Sequence, residues 1–206
     1  YEQMIDTAAE MGFSCVEVAC WPDGKAERRY AGVCHINVDR VLADDAYAAH
    51  LLSYSAEKNI TISSLAFYPN TMDGDLEKRK ANIEHLKKVI AANIAHLKNV
   101  IRASAKLKIN MVSTFIGRDQ TLPTEDNLEL VKQLWPDIIR LAETLNVRIA
   151  IENCPMLFGR EQWPGGQNLM CTPQLWRAVF DVLPSKYLGL NYDPSHFVWQ
   201  MMDYIS

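Results

Sequence analysis

At 206 residues, 49% of them hydrophobic and 22% charged, the chain is long enough for one domain with a substantial core. No run approaches the ~18 apolar residues a spanning helix needs, which excludes a membrane partner. A net charge of −4 and a pI near 5.7 argue against a nucleic-acid partner, because phosphate-backbone binders cluster Lys and Arg on one face.

A small-molecule substrate is the better default. The five cysteines (Cys15, Cys20, Cys34, Cys154, Cys171) are odd in number and form no CxxC pair, which points to a reducing, cytoplasmic setting. No basic-then-apolar signal segment opens the chain, and Tyr1 reads as a start inside a longer protein.

Residues 1–11 carry apolar positions Met4, Ile5, Ala8 and Met11 at helical spacing, and Gly12 follows where a helix end favours positive φ. Phe13–Cys20 reads as a strand, closed by Trp21-Pro22-Asp23-Gly24. The unit then recurs. A helix over Asp44–Lys58 leads into a strand at Ile60–Phe67, ended by Tyr68-Pro69-Asn70, and a helix over Asp75–Lys106 leads into Ile109–Ile116, stopped by Gly117. A helix over Thr124–Leu145, kinked or split at Pro136 and capped by Asn146, precedes the strand Val147–Cys154. Thr172-Pro173 has the chemistry of an N-cap with proline at the first helical position, so Thr172–Leu183 is a helix ahead of the strand Tyr187–Tyr192.

Near-continuous apolar strands alternating with helices imply a parallel sheet covered by helices. No strand is followed by GxGxxG or GxxxxGK[ST], so a (β/α)8 barrel of TIM type is favoured over a doubly wound sheet, with five of its eight strands visible. Residues 1–206 read as one such domain, truncated at both ends.

Ala81–Ala91 and Ala92–Arg102 match at eight of eleven positions. Eleven residues make about three helical turns, so a second copy lengthens a helix while rotating its face by only ~20°. The reading is a tandem duplication, engineered or recent, giving a helix of roughly 48 Å over 75–106, three turns of which overhang the sheet or are taken up by local distortion. His85 and His96, at equivalent places in the two copies, read as surface copies and not ligands.

In parallel α/β folds the ligand site lies where the C-terminal strand ends converge. The polar and aromatic residues there are Glu17 and Trp21; Tyr68 and Asn70; Thr114, Gly117 and Arg118; Glu152 and Asn153; Asp193 and His196. Glu152 follows Ile149-Ala150-Ile151 without interruption, so its carboxylate is delivered by a strand destined for burial and needs either a metal ion or an arginine to neutralise it. Asp193 poses the same question one strand later. Two carboxylates at the ends of adjacent strands, spaced near ~4.8 Å, suit one divalent ion. Trp21, Tyr68, Trp163 and Trp199 fall near strand ends, where aromatic walls suit the apolar faces of sugars, although core packing accounts for each singly. Cys154 has no evident base beside it to make it a nucleophile.

The segments GFSCVEV (12–18) with CWP (20–22), IENCPM (151–156), WPGGQN (163–168) and LGLNYDPSHFVWQ (188–200) resemble the sugar phosphate isomerase/epimerase group of xylose isomerase-like TIM barrels, and the likeness spans nearly the whole chain outside the duplicated turns. The resemblance implies a metal site built from a Glu on the fifth barrel strand, an Asp on the sixth, a His on the seventh and a Glu on the eighth. Glu152 matches the first of these and Asp193 the second. His196 matches a histidine that contacts substrate in many members and binds zinc in the related AP endonucleases. The implied chemistry is proton removal beside a carbonyl, with Mn2+ or Mg2+, or Zn2+ or Co2+, stabilising an enediolate. Glu152 would be both ligand and acid/base, His196 a second catalytic group, and Trp21, Tyr68, Asn70 and Asn153 the substrate-binding residues for a small sugar or polyol.

Against that pattern, the chain opens at the helix after the first strand and stops before the seventh and eighth, so two of the four implied ligands are absent. Three expectations follow: a metal-dependent isomerase or epimerase inactive on its own; a non-catalytic barrel fragment or engineered self-associating scaffold, a homo-oligomer covering its exposed sheet edges; and an AP endonuclease-like repair enzyme, disfavoured by only five histidines and the net negative charge.

Overall fold

A computed structural model describes all residues except 22–32, 69, 73–82, 158–165 and 206, and the backbone alone for 83–93. In chain order the elements are α1 (Glu2–Glu10), β1 (Cys15–Ala19), α2 (Val38–Ala43), α3 (Asp45–Glu57), β2 (Thr61–Phe67), α4 (Ile83–Lys106), β3 (Met111–Thr114), α5 (Thr124–Leu134), α6 (Pro136–Leu145), β4 (Arg148–Glu152), α7 (Pro173–Val182), β5 (Leu188–Asn191) and α8 (Ser195–Trp199). The five strands form one parallel sheet in the order β1-β2-β3-β4-β5. Strand order that follows chain order, with helices between, is winding in one direction. A doubly wound sheet would reverse at a switch point.

The anticipated signals act as their chemistry requires. Gly12 takes φ +77 at the end of α1, Asn146 closes α6 in the left-handed conformation, and Thr172 accepts the Leu175 N–H ahead of Pro173. Pro136 divides the predicted Thr124–Leu145 helix in two, with Trp135 at the joint. Trp135 is fully buried, and its indole N–H donates to the Ile116 carbonyl at 3.1 Å.

Alternation along the strands separates two faces. Val18, Leu65, Phe67, Val112, Ile149, Ile151 and Leu188 join Leu97, Val100, Ile101, Trp135 and Ile138 in the core beneath the helices. The opposite face carries Glu17, Ser64, Ala66, Ser113, Ala150, Glu152, Gly189 and Asn191, small or polar side chains that cannot build an apolar core.

One sequence expectation needs amendment, and another lies partly outside the described residues. Helix α4 runs unbroken for 24 residues, from the third residue of the first copy through the second, while 75–82 of the expected helix lies outside the described residues. His96 is not a surface copy: it is half-buried, its Nε2 lies 2.8 Å from the Cys20 carbonyl oxygen, and its ring packs on Phe67 at 4.7 Å. Its place on the sheet-facing side of α4, with Leu97 and Val100, turns a polar residue into a tie between helix and strand. The turn at Pro22-Asp23-Gly24, Trp163 and all of the first repeat's side chains, His85 among them, fall outside the described residues. No described helix is long and apolar enough to cross a membrane.

Candidate functional site

Glu152 is the last residue of β4, in register with Asn191 of β5, so both side chains leave the sheet on the face away from the helices. Asn191 donates its amide N–H to Glu152 Oε2 at 2.9 Å. Oε1 is buried and has no hydrogen-bond partner. The backbone carbonyls of Glu152 and Cys154 are both held by the side-chain amide of Asn168, at 2.8 Å each, which fixes the direction in which the carboxylate emerges.

Asp193 lies two residues beyond β5. Its backbone N–H donates to Asn153 Oδ1 at 2.7 Å, and its carbonyl accepts from Asn153 Nδ2 at 3.0 Å. Its carboxylate accepts the Ser195 N–H at 2.8 Å and opens the short helix α8. In the first turn of α8, His196 places Nε2 3.5 Å from Glu152 Oε1 and 3.5 Å from Asp193 Oδ2, while its Nδ1 accepts the Trp199 indole N–H at 3.2 Å. The ligand atoms of Glu152, Asp193 and His196 all lie within 4.8 Å of one another.

The two carboxyls are pulled apart electrostatically. Burial, then the negative charges of Asp193 and Glu17, push Glu152 up to about 7. Hydrogen bonds from Ser195 and the nearby His196 hold Asp193 below the usual carboxylate range. A buried carboxylate oxygen without a hydrogen bond, beside a second carboxylate, is an arrangement that a cation stabilises, and the all-oxygen pair suits a hard divalent ion.

A second acidic group stands on the same face. Glu17 accepts the Ser64 hydroxyl on one oxygen at 2.7 Å and the Tyr68 hydroxyl on the other, and Ser64 in turn accepts the Ser113 hydroxyl at 3.1 Å. Burial, with Glu17 and Glu152 nearby, holds the Tyr68 hydroxyl well above the ordinary tyrosine value. Trp21 and Phe115 flank Tyr68, at ring-centroid distances of 5.8 and 4.9 Å, and complete an aromatic wall.

The structure therefore brings together Glu152, Asp193 and His196, and gathers Trp21 and Tyr68 around Glu17. It gives two anticipated substrate contacts a different occupation. Asn153 is fully buried with both ends of its amide on the Asp193 main chain. Asn70, also buried, holds Arg118 through both its N–H (2.9 Å) and its carbonyl (2.8 Å), and accepts the Met72 N–H at 3.0 Å. Gly117 permits that clamp: it sits at φ +89, and a Cβ there would stand 2.6 Å from Asn70 Oδ1. Thr114 is buried on the helix side of β3. Burial raises the Cys154 thiol, which disfavours the thiolate a nucleophile needs. Asn191 and Asn168 went unassigned in the sequence; Asn191 carries a signal there, as a polar residue falling on the inner phase of the LGLN run, while Trp199, anticipated as part of an aromatic wall, is found with its indole N–H on His196.

A model of the xylose isomerase-like TIM barrel matches residues 5–206. The chain belongs to that family. Solved structures share this xylose isomerase-like fold at low identity. The probable 3-DHS dehydratase AsbF of Bacillus anthracis is 14% identical with a TM-score of 0.64, covering 98% of this chain and 61% of its own. D-psicose 3-epimerase of Clostridium cellulolyticum H10, solved with D-tagatose, is 15% identical at TM-score 0.64, covering 100% of this chain and 61% of its own. A xylose isomerase-like TIM barrel protein of Mycobacterium smegmatis in complex with magnesium is 15% identical at TM-score 0.57, with coverages of 96% and 57%. This chain thus spans about three-fifths of the length of these relatives. No curated protein sequence matches it.

Proposed function

We propose that this chain carries part of the active site of a metal-dependent isomerase or epimerase for a small sugar or polyol, with Glu152 and Asp193 as metal ligands and Glu152 also as the acid/base. The observation that carries this reading is the buried Oε1 of Glu152, which has no hydrogen bond, on a residue whose ligand atom lies within 4.8 Å of those of Asp193 and His196. Glu152 held at about 7 is suited to taking and returning a proton near neutral pH. A divalent ion bound there would polarise a substrate oxygen and stabilise the charge that develops on it when the neighbouring carbon loses a proton. His196, from α8, would contact the substrate oxygen beside the carboxylates, and the Trp21–Tyr68–Phe115 wall would pack against its carbon skeleton. Proton removal beside a carbonyl is common to an epimerisation and to a dehydration, so relatives named for either reaction fit these residues.

Thermal denaturation with and without Mn2+ tests the reading. The ion is expected to raise the melting temperature of the wild-type chain, and Glu152→Gln is expected to remove the increment. A shift that persists in the variant would take Glu152 out of the site.

A further inference from the structure

Just beyond β1, away from the proposed site, Cys20 pairs antiparallel with Cys34 in an isolated bridge. The hydrogen bonds that hold this bridge flank the pair: the Trp21 N–H donates to the Val33 carbonyl at 3.3 Å, and the His35 N–H to the Ala19 carbonyl at 3.0 Å. Cys20 and Cys34 are therefore a non-hydrogen-bonded pair, the kind in which opposed Cα atoms stand about 4.5 Å apart and the side chains approach most closely. That separation lies within the roughly 4.4–6.8 Å that a disulfide spans between Cα atoms. The two sulfurs also lean toward the same end of the bridge, Cys20 Sγ donating to the Val18 carbonyl and Cys34 Sγ to the Ile36 carbonyl, each at 3.4 Å. Both are thiols in this structure, and the hydrogen bonds of a thiol are weak and readily given up.

We infer that Cys20 and Cys34 are a redox-responsive pair that closes to a disulfide when the chain meets a hydroperoxide and reopens with a thiol reductant. Exposure sets the order of events. Cys34 is half-buried, whereas Cys20 is fully buried and burial pushes its thiol up, away from the reactive thiolate. Cys34 reacts first: its sulfur bonds to one peroxide oxygen as the O–O bond breaks, giving a sulfenic acid and releasing water or an alcohol. The Cys20 sulfur then attacks the Cys34 sulfur, the S–S bond forms as the S–O bond breaks, and the departing hydroxide leaves as water with the Cys20 proton. The two thiols together supply the two electrons that the peroxide takes. Cys20 is the anchored member, its N–H on the Ala66 carbonyl at 2.9 Å and its own carbonyl 2.8 Å from His96 Nε2. Trp21 comes next in the chain, so the closed pair fastens the strand end that carries one side of the aromatic wall.

Peptide mapping by mass spectrometry reads the link in the wild-type chain, treated with hydrogen peroxide and alkylated without reduction. Trypsin cuts after Lys25, Arg29 and Arg40, leaving Cys15 and Cys20 on 1–25 and Cys34 on 30–40. The expected product is these two peptides as one species, lighter than their sum by two hydrogens, with fragment ions placing the bond at Cys20 and dithiothreitol releasing it. A bond from Cys34 to any other cysteine overturns the inference, as does peroxide treatment that leaves both thiols intact or carries Cys34 to an unlinked sulfinic acid. In Cys34→Ser the Cys20 thiol is expected to stay unoxidised, and its oxidation would overturn the assigned order. Because the bond closes the loop from 20 to 34, oxidation is expected to raise the wild-type melting temperature by on the order of 5–10 °C and to leave that of Cys34→Ser unchanged. A linked chain that melts no higher than the reduced one would show that the sulfurs meet only by distorting the fold, and would overturn the inference as well.

Discussion

Two glutamates stand on the same face of the sheet, and they differ in what surrounds their oxygens. Glu17 has a hydroxyl on each oxygen, from Ser64 and Tyr68, and Ser113 backs the network. Glu152 has one oxygen on Asn191, while the other is buried without a hydrogen bond, His196 Nε2 standing 3.5 Å away. The first carboxylate is complete within the fold, as a structural member should be. The second is incomplete in a way that costs free energy unless something outside the chain completes it. An acidic residue at a strand end is therefore a weak pointer to function, whereas an acidic residue at a strand end with an unmet oxygen is a strong one.

The largest expected separation between the two is in metal affinity. Glu152→Gln should weaken Mn2+ binding by roughly a hundredfold or more, and Glu17→Gln by less than about threefold, because second-layer partners commonly cost ~10–100-fold and a group outside both layers costs less. Titration calorimetry of both variants checks this, and equal losses would erase the distinction.

The next effect is a pH dependence. Glu152 titrates at about 7 in the folded chain, against an ordinary carboxyl value of 4.5. The folded state therefore holds this proton more tightly than the unfolded state, and metal-free stability falls as pH rises from about 4.5 to about 7. Glu152→Gln has no proton to lose, so its stability relative to wild type should improve between pH 5 and pH 8 by on the order of 2 kcal/mol, allowing for solvent screening. Urea denaturation at the two pH values measures it, and a constant difference would mean that the orphaned oxygen is already satisfied.

Asn153→Ala removes two hydrogen bonds to the Asp193 main chain from a fully buried position. The expected cost is about 2 kcal/mol of stability, accompanied by a roughly tenfold weaker Mn2+ response as Asp193 loses its fixed direction. Smallest of all, Tyr68→Phe should cost about 1 kcal/mol through the loss of one hydrogen bond to Glu17, and should leave Mn2+ affinity unchanged.

Much of the fold was legible because burial writes itself into the strands as apolar runs: all five strands lie within the predicted segments, and Gly12, Pro136, Asn146 and Thr172 mark ends for steric or capping reasons that hold in any context. Helices α2 and α8 were not legible, at six and five residues, because neither is long enough to show a helical period. Missing α8 concealed why Asp193 and His196 converge: they are three apart across the start of a helix, not merely near each other in a loop. The roles of Asn70 and Asn153 were hidden for another reason. An amide suits a sugar hydroxyl and a peptide unit equally well, and only the fold decides which one it meets. His96 was concealed by the repeat, since the similarity of the two copies says nothing about which one faces the sheet.

Asn70, Asn127 and Asn153 each grip one residue by both its N–H and its carbonyl: Arg118, Asp119 and Asp193 respectively. In each case a side-chain amide substitutes for a neighbouring strand's peptide group, beyond the point where the strands themselves have ended. The rim of the sheet then belongs thermodynamically to its interior. Amide protons of Arg118, Asp119 and Asp193 would exchange with solvent on the slow timescale of the strands, through cooperative opening and not through local loop motion. A rim with that behaviour lets the outer parts of its loops vary freely while the atoms nearest the chemistry stay in register.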